Sequence, residues 1–191
     1  GMKLDAYDPE GFYDELFETV GKPRPRANLL VQNLESMPEG ELARRQLAAE
    51  KALFDLGITF NVYNNQAGLE RIFPFDLVPR VIPAAEWSQI ERGLVQRITA
   101  LNLFLHDIYH EQKILKDRVI PPPYILSAKH LRREFMGFNV PKDIYVHICG
   151  TDLIRGRDGG YLVLEDNLRC PSGASYMLEN RAALKRAFPR L

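Results

Sequence analysis

The chain has 191 residues, 46% hydrophobic and 26% charged, and its 25 Lys and Arg balance 25 Asp and Glu. That is apolar enough for a sizeable core, and zero net charge gives no electrostatic pull towards nucleic acid or an anionic membrane surface. No apolar run approaches a membrane span and no signal-peptide pattern opens the chain, so a cytoplasmic protein is expected, with neither nucleic acid nor membrane as partner.

Gly1 before Met2 reads as the remnant of a cleaved tag. Asp8-Pro9-Glu10 carries helix-start chemistry, with Asp as N-cap and Pro in the first turn, and predicts a short helix through Phe12, Leu16 and Phe17 to Val20. Lys22 to Arg26 reads as a basic, proline-stiffened, solvated connector. A helix is predicted from Pro38 to Leu56, with Gly57 as its C-cap. Ile58–Tyr63 alternates β-branched and aromatic residues and predicts a strand, followed by a turn over 64–68. Leu69–Phe75 and Val78–Ile82 are shorter strand candidates, limited by Pro74, Pro79 and Pro83.

From Glu86 to about Leu115 runs the longest helical pattern. Trp87, Ile90, Leu94, Ile98, Leu101, Leu105 and Ile108 recur at spacings of three and four, one stripe expected to be buried. His106 and His110 have a zinc-compatible spacing but no third ligand, so a solvated pair is expected. Three consecutive prolines, Pro121 to Pro123, mark a loop and the best boundary. Ser127 is expected to cap a helix to about Met136, with Phe135 and Phe138 as core. The cysteines, Cys149 and Cys170, lack a CxxC spacing, and a structural disulfide is not expected in a cytosolic chain. No repeat or low-complexity tract appears, and the element order is that of a mixed α/β (α+β) fold.

The most informative stretch lies near the end. Two apolar runs, Ile144–Ile154 and Tyr161–Leu164, flank Arg155-Gly156-Arg157-Asp158-Gly159-Gly160, a hairpin signal. A two-residue turn at Asp158-Gly159 would set Asp152 opposite Glu165 and Gly150 opposite Asn167. A turn at Gly159-Gly160 would keep the same face, whereas a three-residue loop would break the arrangement. Glu165 and Asn167 share a face because strand side chains alternate. Like charges directly opposite repel, and a hard cation would remove that cost. Oxygen ligands such as Asp152, Glu165 and Asn167 suit Mg²⁺, which keeps some waters and takes substrate phosphate oxygens. The competing reading is an exposed hairpin end with solvated acids. Beyond it, Arg169 and the Ser172-Gly173-Ala174-Ser175 loop open a helical pattern through Tyr176, Leu178, Ala182, Leu184 and Ala187. Such a start offers backbone N–H groups, and an arginine fork, to an anion. The alternative is an ordinary helix cap by Ser172 or Ser175.

These residues carry a resemblance. LEDNLRCPSGASYMLENR, with CGTDLIR upstream, is similar to the circularly permuted ATP-grasp family, including the ligase half of glutathionylspermidine synthase. The resemblance extends to YDELFETVGKPR and to FPFDLVPRVIPAAEWSQIERGLVQRITALNLFLHDIY. It implies a pre-ATP-grasp-like domain over 1–120 and the start of an ATP-grasp domain over 124–191. It implies ATP and Mg²⁺ as cofactors, with Asp152, Glu165 and Asn167 on the metal. Arg169 would be the catalytic group, contacting phosphate together with Ser172, Gly173 and Ser175. The implied reaction is ATP-dependent joining of a small or peptide-like carboxylic acid to an amine through an acyl phosphate. One position departs: the synthetase pattern has Arg two residues before the metal-binding Asp, where this chain has Gly150. Such proteins continue past this point into a second nucleotide-holding lobe, so a chain ending at Leu191 reads as a fragment or a natural truncation. The alternative function is a non-catalytic binding or assembly module with an incomplete ATP-grasp fold.

Overall fold

The computed structural model describes residues 2–61 and 70–189. In chain order the strands are β1 (Phe17–Thr19), β2 (Lys22–Pro23), β3 (Thr59–Asn61), β4 (Glu70–Ile72), β5 (Gly150–Arg155) and β6 (Tyr161–Asn167). The helices are α1 (Asn28–Ser36), α2 (Glu41–Asp55), α3 (Ala84–Tyr109), α4 (Lys113–Lys116), α5 (Pro122–Leu126) and α6 (Gly173–Ala187). Among the described residues the strands pair as two-stranded sheets, β1–β2, β3–β4 and β5–β6. The chain forms two compact units, each discontinuous in sequence: 1–84 with 154–162 and 172–191, and 85–153 with 163–171.

In the first unit the N-terminal segment is not the helix its start signal predicts. Asp8 does accept the Glu10 N–H (2.9 Å), but Glu10 then takes a left-handed conformation (φ 52°) that no helix continues. Asp14 next takes the N–H groups of both Leu16 and Phe17 at 2.7 Å and sets the entry to β1. The β1–β2 hairpin pairs Phe17 with Pro23, and Phe17 is buried. α1 forms where no helix is expected from start or stop signals. Its apolar residues Leu30, Val31 and Leu34 recur at helical spacing and are all buried. It ends where Pro38 holds Met37 extended (φ −66°, ψ 139°).

α2 begins at Glu41, three residues after the expected Pro38, and buries Ala49 and Leu53. Leu30, Leu34, Met37, Ala49, Leu77 and Phe188 form the main core cluster, and Phe17, Ala27 and Val31 form a second. Gln46 of α2 secures the segment before α3: its Oε1 accepts from Leu77 N (3.1 Å) and its Nε2 donates to Phe75 O (2.5 Å). The candidate strand Val78–Ile82 is not formed; Leu77 is held by the Gln46 side chain rather than by a ladder. β3 pairs antiparallel with β4, Thr59 against Ile72. The end of the Ile58–Tyr63 strand, the turn at 64–68 and Leu69 lie outside the described residues.

In the second unit α3 is a single long helix, shorter than predicted because it stops at Tyr109. Asp107 causes the stop: its backbone oxygen accepts from His110 N and Gln112 N, and Gln112 is left-handed (φ 54°, ψ 38°). The Asp107 carboxylate then accepts the N–H groups of Lys113 (2.9 Å) and Ile114 (3.0 Å), starting α4. The apolar stripe of α3 is less covered than expected. Ile90 and Ile108 are buried and Leu94, Ile98, Leu101 and Leu105 half-buried, but Trp87 is 53% exposed. Helical period decides which residues share a side, not whether anything covers that side.

The three prolines start a helix rather than a loop. Their fixed φ and missing N–H groups fit the first turn of α5. Ser127 therefore ends a helix instead of opening one, its hydroxyl donating back to Pro123 O (2.5 Å). Only a short 3₁₀ turn, Arg133–Phe135, lies where the longer helix was expected. Phe135 and Phe138 are exposed rather than core and pack edge to face on each other (5.5 Å). Among the described residues no helix is long and apolar enough to cross a membrane.

Candidate functional site

The β5–β6 hairpin closes through a different turn from either two-residue form. Gly159 N donates to Gly156 O (2.9 Å), and Gly156 N donates to Gly160 O (2.8 Å), leaving a three-residue loop, 157–159. Gly159 has φ +83°, which side chains rarely adopt, and a Cβ there would lie 2.7 Å from the Tyr13 ring. Asp158 Oδ1 accepts Gly160 N (2.9 Å) and steadies the loop. Yet deeper in the hairpin Gly150 lies beside Asn167, and Thr151 hydrogen-bonds Asp166. The stretch from Gly160 to Asn167 is one residue longer than that from Gly150 to Gly156. Counted back from this loop alone, Gly150 would fall opposite Asp166, yet its neighbour is Asn167.

Asn167 Nδ2 donates to Glu165 Oε1 (3.2 Å) and lies 3.4 Å from Gly150 O. A Cβ built on Gly150 would be 3.6 Å from Asn167 Cβ, so Gly150 and Asn167 share a face of the hairpin. Asp152, two residues along β5, shares that face by alternation. Asp152, Glu165 and Asn167 are all exposed. The same Gly150 Cβ would be 2.8 Å from Pro171 Cβ. At Gly150, where the synthetase pattern has Arg, Pro171 occupies the space that a side chain would need.

Asp166 points the other way, and the sequence reading passed over it. Its Oδ2 accepts from Arg97 Nε (2.8 Å) and Nη2 (2.7 Å), and its Oδ1 accepts from Thr151 Oγ1 (2.9 Å). Its side chain is 9% exposed. The Arg97 hydrogen bond, with help from Thr151, holds the Asp166 carboxyl below the usual carboxylate range against the opposing effect of burial. The available signal was alternation itself: an acid between two outward-facing neighbours faces inward and needs a partner.

Arg169 is exposed. Ser172, Gly173 and Ser175 are exposed at the start of α6. No side chain caps this helix, and the Ser175 hydroxyl turns back to Ser172 O (3.5 Å), so the capping alternative is not what the serines do.

The basic connector is not simply solvated. Arg24 and Arg155 each place a guanidinium 4.3 Å from the centre of the Tyr13 ring, and Arg155 also lies 4.0 Å from that of Tyr161. Arg155 and Arg26 both donate to the Tyr13 hydroxyl, Arg155 at 2.8 Å. Arg24 also donates to Asp14 O (2.7 Å). This stacking joins the N-terminal segment to the tip of the hairpin.

The donor set Asp152, Glu165 and Asn167 consists of hard oxygens, and with Asn167 Nδ2 directed at Glu165 the amide oxygen is left for a cation. It fits Mg²⁺ completed by waters and phosphate oxygens. Among the described residues no group of three or more His, Cys, Asp or Glu has metal-holding geometry. The His106–His110 pair stacks at 4.1 Å, with His110 Nδ1 against His106 O and Nε2 against Asn139 Oδ1, an arrangement that leaves His110 no nitrogen for zinc.

Comparison with known proteins defines the class. The family model for circularly permuted ATP-grasp type 2 matches residues 79–191, and the chain belongs to that family. An uncharacterised protein of Synechocystis sp. is 49% identical over 188 residues, covering 98% of this chain and 39% of its own. An uncharacterised protein of Mycobacterium tuberculosis is 45% identical over 179 residues, covering 94% and 32% respectively. A Frankia alni protein with the provisional name glutamate–cysteine ligase 2-3 is 42% identical over 190 residues, covering 98% and 21%. The chain therefore spans well under half the length of these relatives.

Proposed function

We propose that this chain is part of an ATP-dependent carboxylate–amine ligase and supplies the metal-binding side of its nucleotide site. The observation that supports this most is the pairing of Glu165 with Asn167 beside Gly150, with Asp152 on the same strand face, in a chain of the permuted ATP-grasp family. Asp152, Glu165 and Asn167 would hold Mg²⁺, which when bound offsets charge on phosphate oxygens. Arg169 would bind a phosphate or acyl-phosphate oxygen through its guanidinium fork. Ser172, Gly173 and Ser175 would offer hydroxyls and uncapped α6 N–H groups to an anion. The name of the Frankia relative favours an amino-acid carboxylate and an amino-acid amine as the pair joined. Peptide-like acids and polyamines, as in the glutathionylspermidine synthase resemblance, are the second substrate class. Residues 1–120 would form the pre-ATP-grasp-like region and 124–191 the start of the ATP-grasp domain, and the protein would act in the cytoplasm. The remaining nucleotide-holding lobe would come from the additional length that the relatives possess.

The test is ADP release by the full-length protein with candidate acids and amines. Glu165→Gln, which removes a ligand charge at nearly constant size, is expected to lower turnover at least about a hundredfold, in keeping with the loss of charge stabilisation at a reacting phosphoryl group. Circular dichroism serves as the fold control. Equal turnover in wild type and variant would overturn the assignment.

A further inference from the structure

We infer that Arg97, Asp166 and Thr151 form a positioning tie that sets the roll of both hairpin strands and so aims Asp152, Glu165 and Asn167 at one ion. The inference rests on the metal-site reading above.

The tie is placed for this task. Asp166 sits between Glu165 and Asn167 on β6, and Thr151 sits between Gly150 and Asp152 on β5. Each tied residue is thus the immediate neighbour of proposed ligands and faces away from them. Both Asp166 oxygens are engaged, Oδ2 by two nitrogens of Arg97 and Oδ1 by the Thr151 hydroxyl. Arg97 comes from the middle of α3, so the hairpin is anchored to the longest helix. β5 and β6 form a two-stranded sheet, and a lone hairpin is marginal by itself, with little in its ladder to resist rolling or slipping. A roll of β6 that broke the Arg97 contacts would swing Glu165 and Asn167 off their shared direction together. Outer hydrogen bonds that orient ligands typically change metal affinity ten- to a hundredfold. An ordinary ion pair that merely adds stability would leave affinity in the folded protein unchanged.

The experiment uses the full-length protein, with Mn²⁺ as the paramagnetic stand-in for Mg²⁺ and free Mn²⁺ read by electron paramagnetic resonance in the presence of ATP. Asp166→Asn and Arg97→Met are each expected to weaken Mn²⁺·ATP binding about tenfold. The double variant is expected to be no weaker than either single one, because both remove the same tie. Circular dichroism at the assay temperature checks the fold. Thr151→Val removes the Asp166 Oδ1 contact, together with a 3.3 Å contact to Cys149 Sγ, and keeps the β-branched shape; it is expected to weaken binding several-fold and carries the test if the charge variants do not fold. Wild-type affinity in Thr151→Val and in every folded charge variant, with affinity lost in Glu165→Gln, would overturn the tie and leave the metal site standing. Wild-type affinity in Glu165→Gln as well would overturn the metal site itself, and the tie with it.

Discussion

Gln46 shows how one side chain can do the work of a strand partner. Leu77 is 1% exposed, and its N–H ends on Gln46 Oε1, while the same amide donates to Phe75 O. Gln46→Leu removes both partners and strands a backbone donor beside the core. It is expected to destabilise by about 1–3 kcal/mol, the usual cost of an unsatisfied buried group, read from urea melts. Gly150 is constrained by contact rather than by conformation. Gly150→Ala would press a methyl against Pro171 and is expected to cost about 1–3 kcal/mol as overpacking. An unchanged urea midpoint would mean that Pro171 yields freely. At this scale the sequence is legible only over short range. That Glu165 and Asn167 share a side follows from alternation, a local rule. That Asp166 is held by Arg97, 69 residues away, depends on where α3 passes, which no local pattern contains.

Elements are legible where their start and stop signals agree with the contacts they meet. α3 was readable from its period, and its end is set by Asp107, which serves one helix with its carbonyl and the next with its carboxylate. Burial alone would raise the Asp107 pKa, but the N–H groups of Ile114 and Lys113 and the nearby charges of Lys113 and Lys116 outweigh it, and the folded-state value is lowered. A carboxylate with a lowered folded pKa contributes stability above its unfolded value, near 3.9, and loses it as pH falls through the folded value. Wild type should therefore lose more stability than Asp107→Asn between about pH 5 and about pH 3. At neutral pH Asp107→Ala should cost about 1 kcal/mol, as for other lost helix caps. Parallel pH courses in thermal melts would show that the carboxylate is not the titrating cap. The N-terminal segment is the contrary case. Asp8-Pro9-Glu10 has the chemistry of a helix start, but Asp14 and the stacking of Arg24 and Arg155 on Tyr13 hold that region in turns and a hairpin. The hairpin loop differs similarly: its glycines were readable, whereas its three-residue length was not.

At the scale of the molecule, apolar surface and charge make a combined statement. Leu162 and Leu164 of β6 and Met177 and Leu178 of α6 are exposed, as is Trp87 of α3. The chain carries no net charge to keep copies apart, and exposed apolar side chains on a neutral protein favour association. Its relatives carry far more chain than these residues span, the present segment being 39% of the Synechocystis protein and 21% of the Frankia protein. Added domains are the natural cover for such side chains, and the Mg²⁺ site proposed at Asp152, Glu165 and Asn167 would need further chain to hold the nucleotide that supplies its phosphate oxygens. Residues 1–191 produced alone should therefore bind a hydrophobic dye, associate as concentration rises, and release no ADP with ATP, Mg²⁺ and any acid–amine pair. Association should weaken as pH moves away from neutrality in either direction, because net charge then grows. The full-length protein should show neither dye binding nor concentration-dependent association. Light scattering and dye fluorescence on both proteins, with ADP release measured in parallel, decide the matter. A 1–191 segment that stays monomeric, excludes the dye and turns over ATP would show that the exposed residues need no cover and that the nucleotide site is complete within this chain.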